Sequence, residues 1–191
     1  GAGGAVRVDG PRAFANLTAC RLYNNTRVEG GGAAVIVLSG NLTMVGCTLH
    51  DNAATGATHA GGAMYVGGAG TAHIGAGCVL YSNSAADGPG GAIFIAGAAG
   101  LSVSLVGTAL HDNAVAVAPY GGGALAVQGT GTLHIGACCV LYNNSAAHGA
   151  GVAIFIAGAA GLSVSPVGTT LHDNAVTGVG HGGGAVLKQG T

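Results

Sequence analysis

An all-β parallel β-helix, a solenoid of about six coils of roughly 30 residues with three short strands in each, is the fold the sequence predicts, and two markers running in step predict it. Leu-x-x-Asn recurs as Leu22/Asn25, Leu49/Asn52, Leu80/Asn83, Leu110/Asn113, Leu141/Asn144 and Leu171/Asn174, with Asn spacings of 27, 31, 30, 31 and 30 residues. Gly-Gly-Ala or a close variant recurs between them, its Ala falling at Ala5, Ala33, Ala63, Ala92, Ala124, Ala153 and Ala185. Self-similarity at such a period means that each unit buries its apolar face against its neighbours. Residues 1–191 are therefore read as a single β-helix repeat domain, and a chain that opens and stops in mid-unit is expected to be a piece of a longer protein.

The first strand follows the marker Ala, where apolar residues alternate as Val6/Val8, Ala34/Ile36, Met64/Val66, Ile93/Ile95, Leu125/Val127 and Ile154/Ile156. A period of two is the signature of a strand with one buried side. The second strand is Leu42-Thr-Met44, Ala72-His-Ile74, Leu101-Ser-Val103, Leu133-His-Ile135 and Leu162-Ser-Val164. The third pairs Cys or Thr with Leu, as Cys20/Leu22, Cys47/Leu49, Cys78/Leu80, Thr108/Leu110, Cys139/Leu141 and Thr169/Leu171. Glycine interrupts every stretch too often for a helical period to be kept. Stacking these units places like on like, and Asn25, Asn52, Asn83, Asn113, Asn144 and Asn174 should turn inward at one corner as a structural ladder of mutually bonded amides.

Coils also pair into a larger repeat. The stretch from Met64 to Ala114 returns almost unchanged from Leu125 to Ala175, so odd and even coils differ. The longer loops, Ala53 to Ala60, Ala114 to Gly121 and Ala175 to Gly182, are expected on one side of the rod, where solenoids often bind.

Only 6% of residues are charged and the net charge is -1, which leaves no basic patch for nucleic acid and no polybasic membrane anchor. A hydrophobic content of 49% argues for a packed chain over a disordered one. Gly88 to Leu110 and Gly149 to Leu171 are long enough uncharged stretches to imitate membrane spans. Their Gly and Ser content, and the charged or His residues at aligned positions of other coils, argue against a span.

Gly-Gly-Ala-Ile at Gly90 to Ile93, with an apolar-x-x-Asn after each marker, resembles the Gly-Gly-Ala-Ile and Phe-x-x-Asn repeats of the polymorphic outer-membrane proteins, and the likeness spans the chain. Leu stands here where that pattern has Phe. The family consists of autotransported surface adhesins of the pectin-lyase-like superfamily. The resemblance thus implies a right-handed parallel β-helix, extracellular or at the cell surface (outer membrane or cell wall), serving as an adhesive passenger or structural rod.

Candidate binding residues come from the third strand. If each Leu points in, the next residue points out, and Tyr23, Tyr81 and Tyr142 alternate with His50, His111 and His172 in one external column. His is followed by Asp each time, at Asp51, Asp112 and Asp173. A stripe of Tyr81, His111, Asp112, Tyr142, His172 and Asp173 facing a surface glycan or another surface protein is weighed against a plain exposed column without chemistry. Equivalent His residues lie roughly 10 Å apart at two coils' separation, too far to share a metal held at about 2.1 Å. A His-Asp pair without a nucleophile is no triad. His59, Tyr120 and His181 on the long loops and outward His73 and His134 are further titratable groups, while Tyr65, Phe94 and Phe155 are expected to be exposed.

Cys20, Cys47, Cys78 and Cys139 share one inward column with Thr108 and Thr169, and Cys138 should point outward. An odd count of five and a tolerated Thr favour free, mostly buried thiols. Asn16-Leu-Thr, Asn24-Asn-Thr, Asn41-Leu-Thr and Asn143-Asn-Ser match the N-glycosylation sequon and fall on outward or loop positions. Carbohydrate-cleaving β-helices need clustered carboxylates or an Arg base. Here the acids share no column except at two-coil intervals, and Arg is confined to the first coil region. The sequence therefore predicts a non-catalytic rod or adhesive passenger without a cofactor or metal. The alternative is an inactive or incomplete carbohydrate-active β-helix that binds glycans. Open strand edges at the two ends are expected to favour end-to-end association of isolated copies.

Overall fold

The computed structural model describes residues 4–56, 60–117, 121–147, 153–177 and 185–189, with the side chains of 159–165 and 187–189 outside the description. The described chain is an all-β parallel solenoid of about five turns of roughly 30 residues, built as three parallel sheets. Every strand pair is parallel, because each strand bonds to its own counterpart one coil away. Five steps separate the six rungs of the third-strand ladder, whose register runs Leu22 to Leu49, Leu80, Leu110, Leu141 and Leu171.

The three expected strands are present in each full coil, and a two-residue strand follows each ladder Asn, for example Ser84–Ala85 and Ala114–Val115. These short pieces stack as a six-stranded sheet of their own. The 11-stranded sheet holds both the first and the second strands, because Leu125–Ile135 and Ile154–Pro166 run through the corner that earlier coils break. The extra residues are absorbed by a register shift between Gly129 and Gly131.

The core lies between the sheets and consists of ladders of the expected kind, with two corrections of register. Val35 and Val37, not Ala34 and Ile36, align with Met64 and Val66, because Ala34 rather than Ala33 is the counterpart of Ala63. Val103 and Leu105, not Leu101 and Val103, align with Ala72 and Ile74, as Val164 and Pro166, not Leu162 and Val164, do with Leu133 and Ile135. Val35, Met64, Ile93, Leu125 and Ile154 form one, Met44, Ile74, Leu105 and Ile135 another, and all of these are buried. The marker glycines let neighbouring backbones approach. A Cβ on Gly91 would sit 1.9 Å from the Gly123 carbonyl oxygen and 2.8 Å from the Ala114 nitrogen, so no side chain fits between those coils. Gly90 adds a second reason, a φ of +83 that other residues adopt only at a cost.

One expectation about the outer side of the first strand is overturned. Phe94 and Phe155 are buried and Tyr65 is half-buried, where an exposed column was expected. They form a second apolar cluster with Ala126, flanked by Ala96 and Ala157, and the Tyr65 and Phe94 rings meet at 5.7 Å. The strand therefore buries apolar side chains on both sides. In the first coils Arg7, Arg27, Gly30, Gly31 and Leu38 line an open cleft of about 210 Å³ on the outer side, with Ile36 and Tyr65.

The Asn corner behaves as predicted from Asn25 to Asn174. Each amide donates to the next Asn Oδ1, at 2.8 Å from Asn25 to Asn52, 2.9 Å from Asn52 to Asn83, 3.0 Å from Asn83 to Asn113, 3.0 Å from Asn113 to Asn144 and 2.9 Å from Asn144 to Asn174. The other Nδ2 proton goes back one coil to a Leu carbonyl, as from Asn83 to Leu49 at 3.0 Å. Each receiving Oδ1 also accepts the backbone N–H of the preceding coil's Asn. Replacing Asn83 by Ala would strand the Asn52 amide and backbone N–H and the Leu49 carbonyl in the interior. At about 1–3 kcal/mol for each buried unpaired group, Asn83→Ala should lose about 3 kcal/mol or more, measured as a lowered urea midpoint. Asn25→Ala, at a partly exposed rung, should lose about 1 kcal/mol or less.

Candidate functional site

The outward column of the third strand, exposed at Tyr23 and His172, half-buried at Tyr81, His111 and Tyr142 and buried at His50, is built from the same four residues that make the Asn corner. Leu points into the core, the ring residue after it points out, the third residue turns the chain, and Asn points in. The third residue takes a left-handed backbone in every coil: Asn24, Asp51, Ser82, Asp112, Asn143 and Asp173 have φ between 51 and 54. Short polar side chains tolerate that conformation best, which explains the residue types found there. The turn reverses the inward and outward sense within one residue, so ring and Asn emerge on opposite sides.

Parallel register then places ring over ring. Tyr23, His50, Tyr81, His111, Tyr142 and His172 form one continuous stack with centroid separations of 5.1, 4.8, 5.2, 4.7 and 5.2 Å. Interplanar angles of 3, 5, 3, 11 and 3° show that the planes are essentially parallel. Such pairs contribute about 0.5–1.5 kcal/mol each beyond their buried area.

Every His in the stack is held by the Asp that follows it. Nδ1 of His50, His111 and His172 lies 2.7 Å from the Oδ2 of Asp51, Asp112 and Asp173 respectively. Arg21 approaches Nε2 of His50 at 3.2 Å and lies over the Tyr23 ring. A guanidinium only donates, so Nε2 of His50 accepts, and Nδ1 carries the proton that the Asp51 carboxylate receives.

All six predicted binding residues, Tyr81, His111, Asp112, Tyr142, His172 and Asp173, therefore lie together in one stripe. The stripe offers less than a row of open rings would. Neighbouring rings cover the faces of Tyr81, His111 and Tyr142, which leaves ring edges and carboxylates to solvent, with the Asp112 and Asp173 side chains 49% and 74% exposed. A sugar ring that stacks on an aromatic needs a free face, whereas edges and carboxylates offer hydrogen bonds to hydroxyls. Among the described residues no three or more His, Cys, Asp and Glu side chains converge on a common point. His73 and His134 are exposed on the second strand as expected, while His59, Tyr120 and His181 lie outside the described residues.

The cysteine column is also as predicted. All five thiols are free, with Cys47, Cys78 and Cys139 buried, Cys20 half-buried and Cys138 exposed. Thiol and hydroxyl are interchangeable because they make equivalent bonds. Cys47 Sγ donates to Val45 O, two residues back, and to Leu17 O of the neighbouring coil, and Thr108 Oγ1 does the same to Val106 O and Ile74 O. What sequence reasoning missed is the conformation of Cys138. Its φ of 62 puts it in the left-handed position that Gly46, Gly77, Gly107 and Gly168 occupy in other coils. The signal was in the alignment of coils, where a glycine precedes the column residue.

No helix among the described residues is long and apolar enough to cross a membrane. The fold and the ring column define a parallel β-solenoid with an aromatic outer stack. Comparison with family models, with curated proteins and with solved structures returns no match for the chain.

Burial pushes the Cys78 and Cys139 thiols up from their ordinary value. A raised thiol pKa means less thiolate at a given pH, so both geometry and acidity protect them. Native protein treated with a maleimide near neutral pH should acquire label first at Cys138. Cys47, Cys78 and Cys139 should react only with denaturant, read by intact mass and peptide mapping.

Proposed function

We propose that this chain is a segment of an extracellular or cell-surface protein in which the β-helix acts as a non-catalytic rod or adhesive passenger. Its repeats resemble those of the polymorphic outer-membrane type, which is the source of the right-handed, surface-displayed expectation. The observation that carries the reading is that successive coils repeat the same interior and exterior ladders. Glycoside cleavage needs two carboxylates facing one bond, whereas here the carboxylates of Asp51, Asp112 and Asp173 are each engaged by their own His and recur only every second coil. Stability divided among nearest-neighbour interfaces gives an extended, stiff element of the kind that holds a binding surface away from a cell. Antibodies raised against the folded chain should label intact, unpermeabilised cells of its source. Labelling that appears only after permeabilisation would overturn the placement at the surface.

The second reading is an inactive carbohydrate-active β-helix that binds glycans, and it rests on the exposed Asp112 and Asp173 carboxylates beside the ring edges of the stripe. On a glycan array this reading expects saturable binding that falls about tenfold or more in Asp112→Asn and His111→Ala, a loss of about 1.4 kcal/mol. Binding that is absent, or equal in the variants, removes it.

A further inference from the structure

The chain holds ten asparagines, and the fold divides them into two sets with different sequence contexts. Six are the ladder residues, whose amides bond from coil to coil, and none of them heads an Asn-x-Ser/Thr sequence. The register explains this. In the interior coils the residue two places after the ladder Asn faces inward in the short fourth strand, where Ala54, Ala85, Val115 and Ala146 are buried, so an apolar residue stands where a sequon would need Ser or Thr; at the first rung that place is held by the half-buried Arg27.

The other four, Asn16, Asn24, Asn41 and Asn143, are all exposed, and every one of them heads a sequon. Asn16 and Thr18 lie on the outer side of the strand Phe14–Thr18, and Asn41 and Thr43 on that of Asn41–Val45. Asn16 stands opposite Thr43, and the Oδ1 of the exposed Asn41 accepts a hydrogen bond from the Thr71 hydroxyl, which leaves its Nδ2 outside that bond. Asn24 and Asn143 occupy the left-handed turn of equivalent coils, with Thr26 and Ser145 two places on and facing out. In the coil that carries Ser84 at that same place, the turn residue is Ser82, so the acceptor is missing. In the coils that carry Asp at the turn, Ala53, Ala114 and Ala175 follow. Sequons thus fall only at exposed Asn positions on the outer side of the rod.

We propose that Asn16, Asn24, Asn41 and Asn143 are N-glycosylation sites modified along a eukaryotic secretory route, which rests on the extracellular placement above and not on its outer-membrane form. The co-substrate is an oligosaccharide linked to a polyisoprenyl pyrophosphate. The amide Nδ2 forms a bond to sugar C1, and the C1–O bond to pyrophosphate breaks with its electron pair leaving on the phosphate oxygen. One amide proton passes to a base of the transferase and then to solvent, and nothing is oxidised or reduced. A glycan on Nδ2 at any of the four points away from the core, whereas at a ladder position it would remove a proton that bonds the next coil and could not be housed.

The test uses protein isolated from its own source, digested after enzymatic release of N-glycans in heavy-oxygen water, so that each occupied Asn is read by mass spectrometry as a heavy Asp. Label is expected at Asn16, Asn24, Asn41 and Asn143 and at none of Asn25, Asn52, Asn83, Asn113, Asn144 and Asn174. Each site stands or falls by its own peptide, and label at none of the four, or at any ladder Asn, overturns the proposal. In secretory expression, Thr26→Ala and Ser145→Ala should each remove one glycan's mass while Thr26→Ser keeps it, a readout that a purely structural role for these hydroxyls would not move. Cells labelled at their surface by antibody but carrying unmodified chain would sink this proposal alone and leave the placement of the rod intact.

Discussion

Each coil is fixed to the next by an asparagine whose two amide protons point in opposite directions along the rod, one to the Asn Oδ1 ahead and one to a Leu carbonyl behind. No other side chain has the right inventory: a carboxylate lacks both donors, a hydroxyl has only one, and Gln is a methylene too long for a corner set by a single left-handed residue. Because each Oδ1 accepts two bonds as well, the interior amides at Asn52, Asn83, Asn113 and Asn144 are fully buried with their hydrogen-bonding capacity used. A slip of one residue at this corner would bury the turn residue and expose the amide. The ladder therefore sets the register for the Leu ladder three residues before it and the ring stack two residues before it.

That shared register also bears on the outer side of the two-coil repeat. If every coil carried His-Asp at the corner, carboxylates would stand one strand spacing apart, where two like charges repel by ~0.9 kcal/mol even at the dielectric constant of water. Placing them on alternate coils roughly doubles the distance and halves this to ~0.4 kcal/mol. The intervening coils carry Tyr, which needs no charged partner, with neutral Asn24, Ser82 or Asn143 at the turn. Alternation also sets each imidazole between phenol rings, so the stack continues without a neighbouring pair of His-Asp units. The outer alternation keeps like charges apart, and the inside alternates with it, Thr108 and Thr169 standing where Cys78 and Cys139 stand in the coils between.

Most of this could be read from residue identities alone, because a solenoid places residues of equivalent sequence position in direct contact. The Asn corner, the inward Leu, the Cys and Thr column and the outward Tyr and His needed only a period and a sense of alternation. Phe94 and Phe155 were misplaced for the same reason: alternation gives a side of the strand, not what covers it. On the outer side the aromatic rings pack with their own counterparts and Ala126 into a second apolar cluster, and alternation alone does not announce that. The face-to-face geometry of the rings was likewise hidden, since sequence gives the column but not the side-chain torsions that close it. Cys138 and the six turn residues were recoverable in principle from the glycines and short polar residues aligned with them.

The stack changes what the outer column can offer a partner. Rings spread over a flat sheet would present faces to a sugar or an apolar side chain, but rings held about 5 Å apart along the rod hide theirs from everything except each other. What reaches solvent is a regular line of edges and, at two-coil intervals, an Asp carboxylate whose second oxygen is left over from its bond to His. A partner would have to read repeated acceptors with a spacing near 10 Å, which suits a linear polymer with hydroxyls or cations at comparable intervals better than any single compact ligand. Affinity for such a partner would grow with the number of coils engaged, so a longer rod binds more tightly without any one site being strong.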